Sequence, residues 1–339
     1  MKYKECYMEL RKAMKLLRGL NAFEQFNQYD LFYFLDDTSK GIVVCTDHML
    51  DSSAGVQLYL NSSGINYLYD SYMSHTGIIL NPIYANMISI ALLSKNNLLE
   101  EDVQFLKKHK IRISLENNVI PCEFQEGYDY KYLTIKKMKL VIAYLYYLIS
   151  LIKNEREDLV QCFAEDKLVL AAFDPKEHYY SVKYTGDAVL GTMPRFKKKN
   201  ESFIKEYQDA TYVEDVCYIS RYFSFKQLED GGYESILFGY YEKKKKHLMH
   251  RVACKPEQIQ DFAIGVVDEL FKQEGLPMKV IFNERTMVSS LYKTLTALHI
   301  DTEFQRETEF VDQIFFELFS KKIENYEEGE KRLETVLVS

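Results

Sequence analysis

From about residue 211 onward the apolar residues change period in a fixed order, and that order restricts the fold more than any other feature. Three strand-like runs come first, Val216–Phe223, Ser235–Glu242 and His247–Val252. A helical pattern follows at Pro256–Glu274, then a strand at Lys279–Phe282 and a helix at Arg285–Leu298. A strand at Thr302–Gln305 and a helix at Thr308–Ile323 close the series. Pro256 sits at a helix start, and Gly275 with Pro277 beyond it stops that helix. The order β-β-β-α-β-α-β-α predicts a mixed sheet with helices on its faces.

The first half reads as a second α/β domain. An amphipathic helix over residues 3–18 is predicted from Tyr7, Leu10, Met14 and Leu17 at helical spacing, stopped at Gly19 and Asn21. Strands are expected at Leu31–Leu35, Ile42–Thr46, Val56–Leu60, Met87–Leu93 and Ile111–Leu115. Helices are expected at Gly64–Tyr72, at Asn97–Lys108 with Asn97 as N-cap, and at Thr134–Lys153. The last is apolar on nearly all sides between Leu140 and Ile152, so it should lie between layers. That stretch is shorter than the roughly 20 residues that span a bilayer. Leu168–Phe173 and Tyr179–Tyr184 form a closing hairpin around Pro175. The expected organisation is a domain over 1–185, a linker over 186–210, a second domain over 211–325 and a charged tail over 326–339. Ile88–Leu115 and Lys279–Gln305 share a strand-helix-strand order with a His at each helix end, His109 and His299, which suggests a pseudo-repeat.

The formal charge of -7 speaks against a wholesale nucleic-acid coat, though a local basic groove is compatible with it. The 27 Tyr and 21 Phe suit either core packing or a partner surface. Cys6, Cys45, Cys122, Cys162, Cys217 and Cys254 form no C-x-x-C and follow no secretion signal. They are expected to be buried free thiols of a reducing cytoplasm.

No intact catalytic motif is present. Gly186–Thr192 lacks the Lys of a phosphate loop and reads as linker. His247 and His250 would share a helix face, but on the expected strand their odd spacing sends them to opposite faces. Asp30, Asp36, Asp37, Asp47 and Asp51 lack the spacing of an oxygen-ligand loop and read as turn residues. The runs Lys243, Lys244, Lys245, Lys246 and Lys197–Lys199 are candidate phosphate contacts, or solvated turns.

Two resemblances add to this reading. Leu20-Asn21-Ala22-Phe23-Glu24, Tyr29-Asp30-Leu31-Phe32, and Gly55-Val56-Gln57-Leu58-Tyr59-Leu60 with Gly64 resemble an uncharacterised bacterial family of the firmicute type. Phe23 and Gln25 stand where that family tends to have Trp, and Asn61 where it tends to have Gly. About Glu214–Lys321 is similar to a second uncharacterised domain commonly fused behind the first. Its element order is also that of ribonuclease-H-like folds, which implies metal-binding carboxylates on the first strand, after the fourth strand and on a late helix. Asp215, Glu284 and Asp312 are the residues nearest that pattern, but Asp215 lies at the very start of its strand and its interior has no acid. The expectation is a degenerate ribonuclease-H-like fold. The protein reads as a non-enzymatic interaction or regulatory protein of a bacterial cytoplasm with a protein partner, no membrane and no cofactor. The alternative is a divergent nuclease-like or nucleic-acid-handling protein using a divalent metal.

Overall fold

A computed structural model describes residues 2–27, 30–35, 40–49, 53–60, 62–73, 82–165, 167–174, 179–185, 197–252 and 259–320. The chain divides into two compact units. The first holds residues 1–72 and 80–192, the second residues 193–339 with residues 73–79.

Unit 1 is built on an eight-stranded sheet. Its helices are α1 (Tyr3–Gly19), α2 (Ala22–Gln25), α3 (Ser62–Met73), α4 (Glu100–Lys108), α5 (Ile135–Asn154) and α6 (Arg156–Ala164). Its strands are β1 (Leu31–Leu35), β2 (Lys40–Met49), β3 (Ser53–Tyr59), β4 (Met87–Leu93), β5 (Asn118–Phe124), β6 (Lys131–Tyr132), β7 (Leu168–Asp174) and β8 (Tyr179–Thr185). The spatial order is β6-β5-β4-β3-β2-β1-β7-β8, with β1 and β7 the one parallel pair. Alternation sorts the side chains of β1: Phe32 and Phe34 enter the main core, while Leu31 and Tyr33 meet Ile65 and Leu68 of α3. The apolar α5 lies inside, as its composition requires. It packs against α1, and its Tyr144 meets Phe34 of the sheet at 5.9 Å between ring centroids. Thr134 caps it, accepting from the Lys137 N–H.

Unit 2 carries α7 (Glu201–Tyr207), β9 (Tyr212–Gln227), β10 (Tyr233–Tyr241), β11 (Lys246–Val252), α8 (Ile259–Glu274), β12 (Leu276–Phe282), α9 (Arg285–Ala297) and β13 (Asp301–Phe304). A last helix, α10, covers residues 309–320. The five-stranded sheet runs β11-β10-β9-β12-β13, antiparallel from β9 to β11 and parallel from β9 to β13. Cys217 and Ile219 face one core with α8 and α9, and Tyr218 and Tyr222 face another with Val311, Phe315 and Phe319 of α10. The element order of the second half is therefore the one its periodicity implies.

Several expectations need correction. Ile111–Leu115 is not a strand; β5 starts at Asn118, because Ile111 closes the end of α4 and Asn118 Oδ1 takes the Ser114 N–H in a turn. The N-cap of α4 is Leu99, not Asn97, and Asp102 reaches back to the Leu99 N–H at 3.1 Å. The expected linker contains α7, capped by Asn200, whose Oδ1 accepts from the Phe203 N–H. The pseudo-repeat does not hold in the sheets: β4 and β5 are antiparallel neighbours, whereas β12 and β13 are parallel. What the two segments share is a helix ending. Lys110 and His299 both have φ 55°, and the N–H groups of Ile111 and Ile300 reach back to the Leu106 and Leu295 carbonyls. Gly186–Thr192, Asp36, Asp37, Asp51, Cys254, Pro256 and the tail lie outside the described residues, as do the side chains of Cys45 and Asp47.

Candidate functional site

The three acids singled out in the sequence are all buried, and the fold keeps them apart. Asp215 lies inside β9 as its fourth residue, not at the strand's start as expected, because pairing with β12 already begins at Tyr212; the six residues from Asp215 to Arg221 make roughly 20 Å of strand between them. Its Oδ1 accepts the N–H groups of Val216 and Lys243, each at 2.8 Å, and its Oδ2 accepts that of Lys244 at 3.0 Å. Asp215 therefore clamps the β10–β11 turn.

Glu284 follows β12 on the α8/α9 side of the sheet. Its Oε1 accepts from Arg221 Nη1 at 2.7 Å, with both side chains almost wholly buried, and its Oε2 accepts from Thr286 Oγ1 at 3.1 Å. Arg221 Nε donates to Ser235 Oγ at 3.1 Å, and the guanidinium lies 4.4 Å from the Phe223 ring centroid. Asn283 completes the joint. Its amide bridges the Arg221 N–H at 2.8 Å and the Arg221 carbonyl at 3.2 Å, continuing the β9–β12 ladder past its last residue.

Asp312 belongs to the opposite face. Its Oδ1 accepts from Tyr222 Oη at 2.5 Å and its Oδ2 from the Thr308 N–H at 3.3 Å. Tyr222 stacks on Phe315 at 3.8 Å, so the acid is enclosed by the layer it anchors. Burial raises its pKa to about 6, against the pull of those two hydrogen bonds. Residues 221 and 222 alternate across the sheet, so Glu284 and Asp312 serve opposite faces. Among the described residues no group of three His, Cys, Asp or Glu is placed to hold a metal ion. A cleft of about 330 Å³ opens at the start of α10, lined by Tyr218, Gln305, Thr308, Glu309, Phe310 and Gln313, and none of the three acids reaches it.

Among the described residues, three of the seven lysines in the two runs meet a carboxylate. Lys243 pairs with Glu214 at 3.3 Å, Lys244 with Glu274 at 3.4 Å, and Lys199 with Glu201 at 3.1 Å. Lys245 takes the left-handed conformation at the turn, φ 56°, and Lys246 opens β11. His247 and His250 fall on opposite faces: His247 lies beside Phe238, while His250 Nε2 meets Glu269 of α8 at 2.9 Å. Asp30 is buried and accepts the Asn27 N–H at 2.8 Å, a turn role. Cys6, Cys122, Cys162 and Cys217 are buried free thiols. No helix among the described residues is long and apolar enough to cross a membrane.

The sequence reading missed Arg221 and Asn283 as the centre of this arrangement. The signal was available: an arginine inside an apolar strand needs a buried partner, and Glu284 was the acid next to the neighbouring strand. No family model matches the chain, and no curated protein and no solved structure matches it.

Proposed function

We propose that the protein acts by binding a partner and not by catalysis, with unit 2 as a ribonuclease-H-like module whose carboxylates have structural tasks. The observation that carries this reading is the buried Arg221–Glu284 pair. A guanidinium on the central strand supplies the positive charge that Glu284 needs, at the strand end where a nuclease of this element order would gather its acids. A second cation beside Glu284 would meet like-charge repulsion from Arg221. Asp215 and Asp312 have their oxygens committed to backbone and tyrosine donors elsewhere.

The test is incubation of the purified full chain with labelled DNA, RNA and RNA–DNA hybrid in Mg²⁺ or Mn²⁺. The reading expects full-length nucleic acid at the end. Metal-dependent cutting that disappears in Glu284→Gln would overturn it.

A further inference from the structure

The chain is acidic overall, yet one face of unit 1 gathers unpaired cations. On α1, Lys4, Met8, Arg11, Lys15 and Arg18 fall within about 80° of arc and along about 21 Å of helix. The acids of α1 are turned elsewhere: Glu5 takes the Lys2 N–H, and Glu9 takes Lys12 and Tyr146 Oη. Residues 110–117 run beside this stripe. His109 stacks on Tyr3 at 3.8 Å, Arg11 donates to Ser114 Oγ at 2.7 Å, and Arg18 donates to Asn117 Oδ1. Those acceptors are neutral, so both guanidinium charges stay uncompensated. The run that ends α4 adds Lys107, Lys108, Lys110 and Arg112, all exposed. Among the described residues none of these lysines and arginines has a carboxylate partner. Glu116 is the one acid in residues 110–117.

We propose that this face binds the phosphate backbone of a nucleic acid. The proposal rests on the reading of the protein as a binder and names its partner. Charge complementarity carries it. A row of cations along a helix, with a second stretch of basic chain beside it, matches a linear polyanion. Arg11, Lys15 and Arg18 succeed one another at rises of about 6 and 4.5 Å, close enough for each to meet a backbone charge. Hydrogen bonds from Arg11 and Arg18 to Ser114 and Asn117 hold two of the cations in place before any ligand arrives. Recognition of this kind is independent of base sequence and weakens steeply with salt. The surface differs from the lysine turn of unit 2, where Lys243 and Lys244 are already paired.

The experiment is fluorescence anisotropy of labelled single-stranded and duplex oligonucleotides with the full chain, titrated across salt. Wild type is expected to bind at low salt with a linear loss on a logarithmic scale. The variant Lys4→Gln/Lys15→Gln/Lys110→Gln/Arg112→Gln changes only exposed positions. It is expected to bind at least roughly tenfold more weakly, with the salt slope reduced by about one for each phosphate-binding cation removed. Lys15→Gln/Arg112→Gln repeats the test with two changes should the fourfold variant misfold, and Lys243→Gln/Lys244→Gln is expected to bind as wild type. The proposal is overturned if wild type does not bind at low salt, if the neutralised variants bind equally well, or if only phosphatidylserine vesicles are bound. Cutting of the bound strand in Mg²⁺ would instead strike the non-catalytic reading of unit 2.

Discussion

Asp312 is the residue whose chemistry reaches furthest beyond its size. Buried against Tyr222 and the start of α10, it has a pKa raised from 3.8 to about 6. A carboxyl raised on folding contributes fully where both states are protonated, below about pH 4, and its contribution is lost as pH rises through about 6. The shift corresponds to at most about 3 kcal/mol. Asp312→Asn should therefore flatten the fall in stability between about pH 4 and 6, measured by urea unfolding at several pH values. Parallel wild-type and variant curves across that window would contradict the assignment. Arg221 shows the complementary case. A charge on a central strand is tolerated because Glu284, Ser235 and Asn283 each take part of it or its backbone.

At the scale of elements, close approach and helix endings set the tolerances. Gly239 of β10 lies under α8, and a Cβ there would come within 2.2 Å of Leu270 Cδ1. Gly239→Ala should cost about 1–3 kcal/mol in thermal or chemical unfolding, and the double variant with Leu270→Ala should lose less than the sum of the two single losses, because the clash is relieved. Strict additivity would place the contact elsewhere. His299 holds a left-handed conformation that glycine adopts without strain, so His299→Gly should stabilise unit 2 by roughly 1 kcal/mol. An unchanged or lower midpoint would show that the histidine side chain contributes there. These elements also show what the sequence makes legible. The central strands of unit 2 are buried on both faces and read as short apolar runs, and its helices have Gly275 and αL endings, so their order follows from local pattern. β5 contains Pro121 and begins after a side-chain turn, and Ile111 and Ile113 imitate a strand beside it. Local pattern does not distinguish these cases; the neighbouring β4 does, pairing Ile90 with Pro121.

For the whole molecule, two different sheets and two different charge arrangements replace the expected repeat. Asp215, Glu284 and Asp312 are legible as residues, but their partners are not, because register and face decide that Arg221 meets Glu284 and Tyr222 meets Asp312. The basic face of unit 1 is likewise invisible to net charge, since it depends on α1 lying beside residues 110–117. Thiol chemistry reports on the integrity of both cores. Burial pushes Cys122 up to about 12 and also raises Cys162 and Cys217. Site-resolved labelling with a thiol reagent at neutral pH should leave Cys6, Cys122, Cys162 and Cys217 unmodified until the chain unfolds. Rapid native labelling at Cys122 or Cys217 would contradict the packing described.

The central claim is that Glu284 is a structural partner and not a metal ligand, and a double-mutant cycle on Arg221 and Glu284 tests it most directly. Unfolding free energies of Arg221→Met, Glu284→Gln and the double variant are measured with and without millimolar Mn²⁺. Each single change should cost about 3–5 kcal/mol by stranding a buried charge, the double variant should cost much less than their sum, and Mn²⁺ should change none of the four proteins. Additive losses, or a wild type stabilised by Mn²⁺ in a way that Glu284→Gln abolishes, would contradict it.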